Sequence, residues 1–236
     1  SMNRALAIAA SCYLGSVRIG LLLVVLLGCE SQPTPPFSLA FPIQERDRID
    51  WLIGVDHDPV VQEPGLNQGI CLNYLGRAVP DCYDEHTGTD YVLAGGFEAM
   101  DNGSAQVLAA ADGVVIESHD GEYDRCHLVE GQIGVDCDGF PMRANLVAIE
   151  HEDGMVTRYL HLKRDSVNVS VGDVVACGDP LGSIGSSGFS SFPHLHFELS
   201  NLEEIVDPYA GPYSQERSWW TEQHPEGEMW PSSSCR

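Results

Sequence analysis

From Phe192 to Leu199 the chain reads FPHLHFEL, and after Pro193 polar and apolar residues alternate without exception. Successive side chains of a β-strand point to opposite faces. The pattern predicts a strand with Leu195, Phe197 and Leu199 on a core face and His194, His196 and Glu198 on the other. Upstream, Asn145–His151 and Met155–Leu162 are two more alternating runs about an Asp153-Gly154 turn, which predicts a hairpin. Apolar and β-branched runs at 91–96, 105–118 and 166–185, punctuated by Asp112-Gly113 and other glycines, predict further short strands. Residues 86–200 hold no convincing amphipathic helix, and the chain has no repeat of solenoid period. Many short strands joined by Gly-rich turns predict an all-β domain of antiparallel sheets, a sandwich or a barrel.

Two regions break this rhythm. Residues 119–143 are polar and Gly-rich and carry two close cysteines, which predicts a long surface loop pinned by a disulfide. Residues 211–236 show little periodicity and hold three of the four tryptophans, Trp219, Trp220 and Trp230. They read as an irregular tail packed on the domain, with core packing favoured over sugar or peptide binding for the indoles. At the other end, Ser1 before Met2 reads as an expression scar. The apolar run at 19–30 is too short to span a bilayer comfortably and fits the apolar region of a secretory signal. It ends in Leu26-Leu27-Gly28-Cys29, which resembles a bacterial lipobox and implies a lipid anchor at Cys29. Residues 1–28 are thus expected to be a lipoprotein-type leader, and 29–40 a Pro-rich tether.

Composition narrows the function classes. Lys+Arg 12 against Asp+Glu 35 gives a formal net charge of -23, which repels nucleic acid and anionic lipid headgroups. With Cys12 and Cys29 set aside, six cysteines remain: Cys71, Cys82, Cys126, Cys137, Cys177 and Cys235. An even number in an exported chain predicts disulfides, and no C-x-x-C spacing offers a cysteine zinc site. Proximity favours Cys71–Cys82 and Cys126–Cys137, leaving Cys177 and Cys235 to pair or stay free.

Candidate chemistry lies in three places. His194 and His196 share a strand face. His86 and Asp90, in EHTGTDYVL, would stand about 13 Å apart on an extended strand, but a bend at Gly88 could bring them to one point. His161, in RYLHLK, lies on the strand face opposite Leu160 and Leu162. A catalytic zinc site takes three ligands from His, Asp or Glu and keeps a fourth position open. His86, Asp90 and one histidine of the H-x-H pair supply such a set, and the remaining histidines can handle protons near neutral pH. Chemistry alone leaves open which of His194 and His196 is the ligand.

The order HTGTD, YLHL and GSIGSSGFSSFPHLHFEL resembles the M23 family of zinc metallopeptidases, the lysostaphin-type or LytM-domain peptidoglycan endopeptidases, over about residues 84–200. The resemblance implies a barrel-sandwich-like LytM-type domain at 41–210 that binds one zinc per chain. It implies His86, Asp90 and His196 as metal ligands, with His161 and His194 flanking the catalytic water. It implies hydrolysis of crosslinks or stem peptides of peptidoglycan in the cell envelope. Two alternatives stand beside it: a non-enzymatic regulator that activates a wall amidase, and a zinc protease acting on proteins. The chain departs from the family in carrying Phe192, where Gly usually precedes Pro-His-Leu-His, and in its long 119–143 loop. Tyr83 lies three residues before His86, a position at which its role is open.

Overall fold

The computed structural model describes residues 13–15, 26–28, 38–59, 70–129, 134–201, 204–225 and 230–235. The chain forms two compact units, Ser1–Pro35 and Pro36–Arg236. In the first, β1 (Tyr13–Gly15) pairs antiparallel with β2 (Leu26–Gly28). Most of the leader expected at 1–28, Cys29 and most of the tether lie outside the described residues. No helix among the described residues is long and apolar enough to cross a membrane.

The second unit is built on an antiparallel sheet. Across it run β11 (Val174–Val175), β6 (Gly113–His119), β9 (Leu146–Glu150), β10 (Met155–Leu160), β13 (His194–Asn201), β4 (Thr89–Leu93) and β3 (Ile49–Ile53). A short β14 (Glu204–Val206) pairs with the far end of β13. The all-β expectation holds. Leu195, Phe197 and Leu199 are fully buried, as the alternation required. They join Tyr91, Val147, Ile149 and Tyr159 of the same sheet in the core cluster. Val107 and Leu181 enter it from a two-stranded sheet of β5 (Gln106–Leu108) and β12 (Pro180–Ser183). Burying side chains of this size stabilises by about 1.5–3 kcal/mol each, so the apolar face of β13 anchors the strand that carries the two histidines.

The local expectations were met unevenly. The hairpin exists, but its strands are shorter than the alternation and are joined by a 3-10 turn at Glu152–Gly154. His151 lies just past the strand, with its ring nitrogens meeting the Asp112 carbonyl at 2.8 Å and Thr157 Oγ1 at 2.7 Å. A helix does occur between residues 86 and 200, α1 (Gly96–Asp101). Six residues are too few for a 3.6-residue period to register in the sequence.

All six cysteines of this unit are paired, Cys71–Cys82, Cys126–Cys137 and Cys177–Cys235. The third closes 58 residues, for which the chain-entropy estimate is about 4 kcal/mol. Within 119–143, β7 (His127–Leu128) pairs with β8 (Val135–Asp136). Cys126 N donates to the Ser186 carbonyl at 2.9 Å and Leu128 N to that of Ser191 at 3.1 Å. This loop therefore lies along the segment that leads into β13. Trp220 is buried at 3% exposure, and Trp219 and Trp230 pack against the core.

Candidate metal centre

Three segments converge because of the register of the sheet. His196 on β13 is directly opposite Asp90 on β4. Paired residues of an antiparallel ladder share a face, so the carboxylate stands beside the imidazole. His86 lies just before β4, and its chain folds back over Thr87 and Gly88. Asp90 Oδ1 is 2.8 Å from His196 Nδ1, 3.2 Å from His86 Nε2 and 3.4 Å from His194 Nε2. His86 Nε2 and His196 Nδ1 are 3.2 Å apart.

His161 arrives by a route that alternation does not foresee. Leu160, the last residue of β10, is the one opposite His196. Continued alternation would turn His161 toward the core face. Instead the strand stops and His161 adopts a left-handed conformation, φ 63°. Its ring then lies 4.7 Å from that of His194 and 5.6 Å from that of His196. All five groups are more than nine-tenths buried.

Each histidine has one nitrogen turned into this cluster and the other held by an oxygen. His86 Nδ1 meets the Gly54 carbonyl at 2.7 Å, His161 Nδ1 the Ser187 carbonyl at 2.7 Å, and His194 Nδ1 the Phe192 carbonyl at 2.7 Å. His196 is reversed: Nε2 meets Glu198 Oε1 at 3.1 Å, and Nδ1 faces the cluster. In a neutral ring, an acceptor on the remote nitrogen keeps the proton there and frees the inner lone pair, which is how metal-ligating histidines are oriented. Glu198 is itself fixed by the Thr87 hydroxyl, which donates to Oε1 at 2.7 Å. We expect Glu198→Ala to weaken the affinity of this cluster for a metal by about 10–100-fold, the usual effect of losing such an orienting carboxylate, as read by competition with a chromogenic chelator. Wild-type affinity in this variant would remove Glu198 from the site's support.

Burial is the largest influence on four of these groups. At His161 and His194 it prevails and holds both imidazoles below their usual range, His161 well below. At His196 burial is outweighed by the hydrogen bonds to Asp90 and Glu198, which push it up to about 9. At Asp90 burial is outweighed by His86 and His194 and by hydrogen bonds to His196 and His86, which keep the carboxyl well below its usual range.

The donor types suit a tetrahedral metal, and the three donor atoms of His86, Asp90 and His196 stand 2.8–3.2 Å apart, a little inside the spacing such a site takes. Nitrogen and oxygen ligands about 2.0–2.2 Å from zinc stand about 3.3–3.6 Å from one another. Among the described residues two triplets have donor atoms within 4.8 Å of one another, His86/Asp90/His196 and His161/His194/His196. Only the first contains a carboxylate, and His196 is common to both.

Tyr83 stacks on His86 with ring centroids 4.1 Å apart, bracing that ring from outside. The Phe192 ring lies 5.4 Å from His194, and its carbonyl orients that imidazole. The other described histidines stay outside the cluster: His57 meets Asp207 at 2.8 Å, and His119 meets Glu117 at 3.3 Å. Glu198 was visible in the sequence as a third residue on the histidine face. The Gly54, Ser187 and Phe192 carbonyls left no sequence signal, since any residue carries one.

A model of peptidase family M23 matches residues 84–208, more than half of the chain. Peptidoglycan DD-endopeptidase ShyC of Vibrio cholerae is 32% identical over 114 residues, 48% of this chain and 20% of that protein. Peptidoglycan DD-endopeptidase ShyB of the same organism is 30% identical over 132 residues, 56% of this chain and 23% of that protein. The chain thus spans about a fifth of the length of these relatives. A crystal structure of a zinc-containing peptidase from Vibrio cholerae aligns with 25% identity over 72% of this chain and 39% of that one, at a TM-score of 0.45.

Proposed function

The chain belongs to peptidase family M23, and from that premise we propose that it is a zinc-dependent endopeptidase of the bacterial cell envelope that cuts peptide crosslinks of peptidoglycan. The observation that carries this reading is the convergence of three inward-facing imidazole nitrogens on one buried carboxylate, with the His161 ring beside two of them. His86, Asp90 and His196 would hold one zinc per chain. When bound, zinc supplies Lewis acidity toward the scissile carbonyl and toward water. His161 and His194 are kept neutral by burial, so their inner nitrogens can accept a proton from the attacking water and return it to the leaving amine. The same nitrogens, once protonated, can donate to the oxyanion of the tetrahedral intermediate. Holding His194 through the Phe192 carbonyl and His161 through that of Ser187 places both rings before substrate arrives.

Relatives named as DD-endopeptidases favour the bond between D-alanine and the diamino acid of a neighbouring stem over a glycyl bridge. The non-enzymatic regulator has no observation in its favour, since all five groups are present and convergent. A protease for protein substrates shares this chemistry and is separated only by substrate. Three disulfides support an oxidising, exported location. The Leu26–Cys29 motif supports anchoring at Cys29, and Cys29→Ala, expressed with its leader, should release the protein from the membrane fraction.

The test of activity is digestion of purified peptidoglycan followed by mass spectrometry of the fragments. We expect crosslinked dimers to fall to monomers, with zinc close to one equivalent per chain and activity lost on chelation. Intact dimers in the presence of zinc-loaded protein that cleaves unrelated polypeptides would favour the protein-directed reading instead.

A further inference from the structure

Trp51 lies on β3, at the edge of the large sheet, and is 36% exposed. Its partner across the ladder is Val92, whose partner on β13 is His194. Paired residues share a face, so the three form one row leading from the metal cluster to the sheet edge. Two strand spacings put the ends of that row about 10 Å apart.

At Trp51 the edge opens into a cavity of about 440 Å³, within the range of about 300–1,000 Å³ of small-molecule sites. Among the described residues its lining comes only from 50–81 and 209–231, none of it from the family-matched segment 84–208. The cavity therefore lies outside the family-matched segment. Two tryptophans line it. Trp230 is fixed by stacking on Phe41, 5.7 Å between centroids at 20°, and by an edge contact with Tyr91 at 5.9 Å. Trp51 has Nε1 3.5 Å from Asp81 Oδ1, and Asp81 Oδ2 lies 3.7 Å from Arg77 Nη1. Asp50 adds an exposed carboxylate.

Flat apolar surfaces bordered by acceptors and a donor of opposite charge match a neutral ring with C–H faces and a rim of hydroxyl and amide groups. An ammonium or a phosphate would meet a like charge as well as an opposite one. We propose that this cavity is a saccharide subsite, with Trp51 as the stacking platform, which holds the glycan from which the substrate peptides hang. The identity of that glycan rests on the peptidoglycan reading above. The reach agrees: an extended chain covers at most about 3.3–3.6 Å per residue, so about three residues span the row from Trp51 to His194.

The test begins without catalysis. The protein is titrated with tri-N-acetylchitotriose, a neutral and peptide-free oligosaccharide, in the presence of chelator, following tryptophan fluorescence. Saturable binding is expected, weakened about tenfold in Trp51→Leu. No saturable binding to folded wild type, or equal binding to Trp51→Leu, overturns the proposal. If Trp51→Leu does not fold, Asp50→Ala replaces it, and undiminished binding there overturns the proposal in the same way. A second measurement compares KM for crosslinked fragments with and without their sugars. Wild type should favour the sugar-bearing fragment, and Trp51→Leu should lose that preference; a preference kept in the variant counts against the subsite. Failure to cleave either fragment would reject the endopeptidase reading and leave the binding result to decide the subsite.

Discussion

We expect His196→Ala to lose zinc and peptidoglycan hydrolysis together, and His194→Ala to keep its zinc and lose about 10²–10⁴-fold in turnover. The two residues are two apart on one strand, alike in chemistry and similarly buried. What separates them is the hydrogen bond each makes away from the cluster. His196 presents Nδ1 directly to Asp90 at 2.8 Å, with Glu198 holding Nε2. His194 presents Nε2 at 3.4 Å, with the Phe192 carbonyl behind it. His86→Ala and Asp90→Ala should follow His196→Ala, because each would remove one of the three proposed ligands. His161→Ala should follow His194→Ala. Zinc content and hydrolysis measured on the same five folded variants check the assignment. Zinc lost from His194→Ala and retained in His196→Ala would reverse it. The second triplet, His161/His194/His196, makes this more than a formality, since it too could hold a metal.

The strand that carries His194 and His196 was legible because its other face is apolar at Leu195, Phe197 and Leu199, and such a face has one stable destination. The convergence with His86 and Asp90 was legible only as a condition: the pair could meet if the chain bent at Gly88. His161 shows where alternation stops being a guide. Its strand ends one residue earlier, and a single left-handed residue turns the ring to the other side of the sheet. Period-two reasoning cannot register a positive φ at a non-glycine position, which costs conformational energy and persists only where surroundings enforce it. The carbonyls that orient three of the four histidines were invisible for another reason, being backbone brought close by the fold. The cavity beside Trp51 was illegible too, because its walls come from segments more than a hundred residues apart that lack periodicity.

Gly88→Ala should cost zinc affinity at least about tenfold although it removes no ligand. Gly88 has no positive φ to explain it; the constraint is space. A Cβ there would lie 2.6 Å from His196 Nε2, 2.7 Å from His196 Cε1 and 2.9 Å from the Phe197 carbonyl oxygen. The carbonyl belongs to the ladder between β13 and β4 and has no rotamer into which to retreat. Relief must therefore come from the imidazole leaving Glu198 or from the two strands parting. The first turns the inner nitrogen away from Asp90, and the second separates His86 from His196. Overpacking of this kind costs about 1–3 kcal/mol of stability, which a domain with three disulfides should survive in folded form. Zinc affinity of the folded variant, measured by chelator competition beside its circular dichroism, separates a distorted site from lost structure. Wild-type affinity in a folded Gly88→Ala protein would mean that the glycine is not what brings His86 and Asp90 together.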